Sequence, residues 1–192
     1  MQLSSSLFVS IVWSSQLVCS RSITQTASGD VIIHTFAKRG LTLQDYPNFQ
    51  ISNGVAGRCA QKAASVFLKP YELNQEKLIQ TNPLKVQITK ADLDTCKTMN
   101  RAAVDAEDKF VFAINNVGSK SSVGRELENG KICNKVLKLT AAVLCLQMEL
   151  KLKPSSDSSR TIKLDDEIKK LQKNIQLDQA AKGQRQHSFL SN

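Results

Sequence analysis

Residues 129–150 read NGKICNKVLKLTAAVLCLQMEL and decide the fold. One row of apolar residues recurs there at spacings of four and three, which is the period of an α-helix, at Ile132, Val136, Leu139, Val143, Leu146 and Leu150. A second row runs beside the first, at Cys133, Leu137, Leu144 and Met148. Two rows make a wide apolar face, so we predict a central helix over about residues 122–153.

Three further segments show the same helical spacing. One covers about residues 47–68 and starts at Pro47, a residue favoured in the first helical turn. The next begins at Thr89, which forms a capping box with Asp92, and it ends near Gly118. The last covers about residues 160–182, before Gly183. The sequence therefore predicts an all-α fold, an antiparallel helical bundle of about four amphipathic helices over residues 40–184.

The two ends of the chain differ from this domain. Residues 185–192 are polar and predict a disordered tail, and no stretch shows a convincing strand pattern. Residues 1–20, MQLSSSLFVSIVWSSQLVCS, have an uncharged apolar run before a cleavage position at Ser20, which predicts a signal peptide. Residues 21–39 are predicted to be a linker, or a propeptide ending at the dibasic pair Lys38-Arg39. No later segment is predicted to be transmembrane, so we expect an extracellular, secreted product.

Four cysteines remain once Cys19 leaves with the signal peptide: Cys59, Cys96, Cys133 and Cys145. An even number in a secreted chain favours two disulfides. Cys133 and Cys145 would stand about 18 Å apart on one helix and are poor partners. Two pairings stay open: Cys59–Cys133 with Cys96–Cys145, or Cys59–Cys145 with Cys96–Cys133. Buried free thiols are the alternative to both.

The inventory of catalytic groups is small. The two histidines, His34 and His187, fall in the linker and the tail, where neither is expected to be held rigidly beside a nucleophile. No zinc-binding spacing of cysteine or histidine occurs. The acidic clusters alternate with lysines, as on a solvated helix face. We therefore expect no enzymatic activity, no cofactor and no metal.

The formal net charge of +9 raises the question of acidic partners. Lys131, Lys135 and Lys138 share one face of the central helix and form a candidate anion-binding stripe. Aromatic residues for base stacking are not interleaved with these lysines, so nucleic acid is an unlikely partner. A solvated helix face is the alternative interpretation.

Several stretches together resemble fungal small secreted proteins: residues 40–46 (GLTLQDY), 48–57 (NFQISNGVAG), 129–139 (NGKICNKVLKL), 164–167 (LDDE) and 173–184 (KNIQLDQAAKGQ). The resemblance covers about residues 40–184. It implies a helical protein of unassigned activity, of the kind grouped as candidate effectors, and it supplies no catalytic residues. The four cysteines depart from the family pattern, so disulfides would be particular to this chain.

Three functional hypotheses follow. The first is a secreted, non-enzymatic protein that binds an unknown protein or cell-wall component, at a cell surface or in a host. The second is a carrier of an apolar ligand or lipid between the first three helices. The third is an electrostatic binder of acidic glycan, lipid or nucleic acid through the lysine stripe.

Overall fold

The computed structural model describes residues 22–25, 31–34, 40–80, 84–154 and 158–190. The chain divides into two units, Met1–Arg39 and Gly40–Asn192. In the first unit, β1 (Ser22–Gln25) and β2 (Val31–His34) pair antiparallel, so the prediction that no strand forms is wrong here. The predicted cleavage positions at Ser20, Lys38 and Arg39 lie outside the described residues.

The second unit is an all-α bundle, which confirms the predicted fold class. Its central helix, Ser122–Leu152, packs against the helices before and after it, and most of the two predicted apolar rows are buried. No described helix is long and apolar enough to cross a membrane. The helices are α1 (Tyr46–Phe49), α2 (Cys59–Phe67), α3 (Gln75–Gln80), α4 (Lys90–Val117), α5 (Ser122–Leu152) and α6 (Ser159–Ala180), with a 3-10 turn at Lys69–Tyr71.

Helices α4 and α5 form a long antiparallel hairpin. The predicted capping box starts α4, since the Thr89 side chain accepts from the N–H of Asp92 and the Thr89 N–H donates to the Asp92 carboxylate. Two amide side chains then join the helices. Asn100 Nδ2 donates to the carbonyl of Lys138 at 2.7 Å, and Asn134 Nδ2 donates to that of Ala103 at 2.9 Å. These bonds fix the register of the pair.

The single helix predicted over residues 47–68 is wrong, because the chain leaves the helical path between α1 and α2. Gly54 and Gly57 have φ of +101° and +99°, a conformation that other residues rarely adopt. Asp178 of α6 then caps α2 from a distance. Its carboxylate accepts from the N–H of Gly57 at 2.7 Å and of Cys59 at 2.9 Å. The N–H of Cys59 is one of the unpaired amides that a helix start exposes, and the N–H of Gly57 belongs to the turn just before the helix.

The prediction of a disordered tail is wrong for residues 185–190. β4 (Arg185–Gln186) pairs antiparallel with β3 (Gly54–Val55), so that Gly54 lies opposite Gln186. Gln186 and Ser188 are 2% and 0% exposed. Their polar groups bond to the loop before α2 and to Cys133 of α5, and this is why a polar segment is ordered. We call residues 184–190 the C-terminal strap.

Candidate functional site: a groove beside the C-terminal strap

The C-terminal strap crosses α5 at Gly130. A Cβ atom there would lie 2.1 Å from the carbonyl oxygen of His187, so the backbones meet only because Gly130 has no side chain. Ser52 Oγ donates to the carbonyl of Gly130 at 2.8 Å. The Ser188 N–H donates to Asn53 Oδ1 at 2.7 Å. These contacts tie the strap, the loop before α2 and α5 into one rigid edge.

Phe189 anchors the end of the strap. Its ring stacks on Tyr46, with centroids 5.8 Å apart, and meets Phe110 edge-on at 4.9 Å. Lys109 Nζ lies 5.8 Å from the centre of the same ring. Burial raises the pKa of Tyr46, so its phenol stays protonated and donates to Asn134 Oδ1 at 2.9 Å. The strap therefore joins an aromatic cluster that also holds α1 and α4.

An open groove of about 700 Å³ lies beside the strap, where α4 turns into α5. Arg185 Nε stands 3.7 Å from Glu126 Oε2, and His187 Nδ1 lies 3.1 Å from the carbonyl of Ser188. The apolar lining is formed by Ala113, Val117, Val123, Leu127 and Phe189, and the polar lining by Asn53, Gly54, Asn116, Glu126, Arg185, Gln186 and His187. Such a lining offers apolar contact together with hydrogen bonds.

Two disulfides cross-link the helices of the bundle. Cys59–Cys133 joins α2 to α5 with an S–S distance of 1.99 Å, and Cys96–Cys145 joins α4 to α5 at 2.17 Å. This is one of the two pairings left open by the sequence, and the four thiols are not free. Gln186 Nε2 of the strap lies 3.3 Å from Cys133 Sγ. The strap therefore covers the first disulfide.

The lysine stripe on α5 is not a row of free cations. Lys135 Nζ stands 3.1 Å from Glu107 Oε1, and Lys138 pairs with the other oxygen of the same carboxylate. Burial would raise the pKa of Glu107, but the hydrogen bonds and charges of both lysines outweigh burial and lower it. Lys131 is half-buried. Interpreting these residues as a free anion-binding stripe is therefore wrong for Lys135 and Lys138.

A second groove, of about 540 Å³, lies between α4, α5 and α6. Five basic residues line it, but four of them pair with acidic residues: Lys97 with Glu149, Arg101 with Asp105, Lys138 with Glu107 and Lys170 with Glu167. These ion pairs neutralise most of the charge in the second groove. We therefore take the first groove, beside the strap, as the stronger candidate site.

Among the described residues, no group of three or more histidine, cysteine, aspartate or glutamate side chains could hold a metal ion. His187 lines the groove, whereas His34 belongs to the N-terminal unit. The groove itself offers apolar side chains and hydrogen-bonding groups.

A family model described as a domain of unknown function, DUF8454, matches residues 41–190. This match covers most of the chain. The protein belongs to the DUF8454 family. The matched range includes the strap and every residue that lines the groove, so both are parts of the DUF8454 domain. No curated protein and no solved structure matches the chain significantly.

The groove was not predicted from the sequence, because residues 185–192 were predicted to be disordered. Two signals were available. Phe189 is a large aromatic residue in an otherwise polar tail, and such a residue commonly has a buried partner. Gly130 interrupts a strongly helical segment, which indicates a close backbone approach. Neither signal identifies the segment that approaches.

Proposed function

We propose that this DUF8454 protein is secreted, is not an enzyme, and acts by binding a partner at a cell surface or in a host, as a fungal effector-like protein would. The observation that carries the proposal is the open groove on a bundle cross-linked by two disulfides. A rigid surface loses little conformational freedom on binding, which favours recognition. Disulfides persist in oxidising compartments, which supports an extracellular location.

The resemblance to fungal small secreted proteins supports the same proposal. That resemblance carries no catalytic residues. The groove offers a partner apolar side chains and hydrogen-bonding groups. The carrier hypothesis has less support, because it needs space between α2, α4 and α5. Large side chains fill that region without exposure, among them Phe67, Met99, Leu137 and Leu144. A partner is more easily accommodated on the open groove than inside the bundle.

Secretion is tested by expressing the full chain in a eukaryotic host and assaying cells and medium separately. The matched control lacks residues 1–20. The proposal expects the full chain in the medium, with its N-terminus after Ser20 or Arg39, and the control inside the cell. Finding both proteins only inside cells would contradict the proposal.

Ligand content is tested on the same preparation by native and denaturing mass spectrometry. The proposal expects equal masses under the two conditions, since the partner binds from outside. A discrete excess mass in the native spectrum would favour the carrier hypothesis. The denatured, unreduced mass also counts the disulfides, because each one removes two hydrogens.

A further inference from the structure

The end of the α4–α5 hairpin exposes four apolar side chains. Val111, Phe112, Val117 and Val123 are 42%, 69%, 43% and 44% exposed, and Phe112 is the most exposed large hydrophobic residue among those described. We call these four residues the tip cluster. The Ser121 N–H donates to the carbonyl of Gly118, so a tight turn keeps the start of α5 beside the end of α4. Apolar groups that are exposed together at one end of a fold are candidates for a binding surface.

The tip cluster surrounds the hairpin end instead of forming one flat face. Successive helical residues are rotated by about 100°, so Val111, Phe112 and Val117 point in three different directions. A bound peptide covers one face of a helix. A fluid bilayer, by contrast, can contact an end from several sides when that end enters it.

The charged residues at the hairpin end, between residues 109 and 125, are all positive. Residues 109–125 include Lys109, Lys120 and Arg125 and contain no acidic residue. The strap beside them has Arg185 and no acidic residue, and Glu126, which lines the groove, pairs with Arg185. Like charges disfavour docking of a second copy through the same end. Anionic headgroups complement this surface.

The depth available for insertion also suits a membrane interface. Asp108 precedes Phe112 by one helical turn, which is about 6 Å along the axis. Interfacial segments bury their apolar face by about 5–10 Å. Phe112 lies five residues, about 8 Å, before the end of α4 at Val117, so insertion to this depth takes in the hairpin end as far as Phe112 while Asp108 stays in water. The long stem of Lys120 allows its ammonium group to reach the phosphates at the same time.

We infer that the α4–α5 hairpin end is a docking surface for an anionic lipid bilayer. The tip cluster inserts into the bilayer, and Lys120 and Arg125 contact the lipid phosphates. This inference rests on the proposed function, because it names the partner of a protein proposed to act by binding. It requires a membrane leaflet that exposes anionic lipid.

Sedimentation with vesicles tests the inference on the secreted full-chain protein. We expect binding to phosphatidylcholine vesicles that contain phosphatidylserine, weakened by salt, and little binding to phosphatidylcholine alone. Lys120→Glu should weaken binding at least about fivefold, whereas Lys173→Glu on α6 should leave it nearly unchanged. Phe112→Ser should weaken binding about tenfold, and Ile162→Ser, at a residue that is 59% exposed on α6, should not.

Fluorescence tests insertion directly. Phe112→Trp should show a blue-shifted emission when anionic vesicles are added, and Ile162→Trp should not. Equal shifts, or vesicle binding that is unchanged in both Phe112→Ser and Lys120→Glu, would overturn the inference. Binding to polygalacturonate without binding to vesicles would overturn it in favour of an acidic glycan.

The inference and the proposed function can fail separately. If the protein is secreted and disulfide-bonded but does not bind anionic vesicles, the lipid inference is refuted and the proposed function stands. A protein that stays inside cells with reduced cysteines refutes the proposed function, whatever the vesicles show.

Discussion

The ring of Phe189 stacks on that of Tyr46 with an interplanar angle of 9° and a centroid separation of 5.8 Å. The contact joins the end of the C-terminal strap to the first helix of the bundle. Tyr46 in turn donates to Asn134 on the central helix. One aromatic pair therefore connects the two ends of the DUF8454 domain across α5, and the groove lies beside this connection.

Phe189→Ala should lower the free energy of unfolding by about 2 kcal/mol, because it removes a partly buried ring that touches two other rings. Phe112→Ala is the matched control. Its ring is 69% exposed, so the change should stay within about 0.5 kcal/mol. Urea unfolding of both variants measures the difference. Equal effects would show that the strap is not docked.

Gly130→Ala tests the crossing of the strap over α5. Alanine normally stabilises a helix interior by about 1 kcal/mol relative to glycine. At this position the new Cβ would meet the carbonyl of His187, so we expect destabilisation by about 1–3 kcal/mol instead. The sign of the change in unfolding free energy distinguishes the two effects. A stabilised variant would show that the strap does not cross α5 closely at Gly130.

Asp178→Ala should remove the distant cap of α2 and cost about 2 kcal/mol, because two backbone N–H groups lose their acceptor. Asp166→Ala on the same helix is the control, since its side chain is 58% exposed in a surface ion pair. Thermal unfolding compares the two variants. The cap assignment fails if Asp178→Ala is as stable as Asp166→Ala.

Glu107→Gln should change how stability depends on pH. Burial would raise the pKa of Glu107, but Lys138 and Lys135 hold it below its ordinary value of 4.5. A lowered folded-state pKa contributes stability above the unfolded-state value, and that contribution is lost as the pH falls through the folded-state pKa. The native chain should therefore be more stable than the variant at neutral pH, and the gap should shrink in acid.

Urea unfolding at a series of pH values from neutral to acid measures the difference in unfolding free energy between the native chain and Glu107→Gln. Asp105→Asn is the control, because Asp105 pairs with Arg101 on the exposed face of α4 and should contribute little at any pH. A gap between the native chain and Glu107→Gln that stays constant as the pH falls would contradict the ion-pair assignment.

Local signals in the sequence predicted the long helices well. The apolar rows located α5, and Thr89 with Asp92 located the start of α4, because both features act within a few residues. The break between α1 and α2 was not predicted. It depends on the backbone conformation of Gly54 and Gly57 and on Asp178, which lies far away in sequence and reaches the N-terminus of α2 only in the folded chain.

The site was less predictable than the fold. The polar composition of the strap suggested disorder. Its order comes from other segments, such as Asn53, which accepts a hydrogen bond from Ser188, and Gly130, against which the His187 carbonyl packs. The lysine stripe on α5 was visible in the sequence. Its neutralisation by Glu107 was not, because it depends on the register between α4 and α5.

Removing either disulfide should cost about 4 kcal/mol, because the bridges close loops of 74 and 49 residues in sequence separation. Cys59→Ser with Cys133→Ser, and Cys96→Ser with Cys145→Ser, are the two variants to compare with the native chain by urea unfolding. Variants that keep the native stability would show that the bridges do not constrain the chain.

The most direct test of a secreted, cross-linked binding protein is non-reducing peptide mapping of the full chain collected from culture medium. We expect two linked peptide pairs, Cys59 with Cys133 and Cys96 with Cys145, and no free thiol among the four. Free thiols at these positions, a different pairing, or no protein in the medium would contradict it.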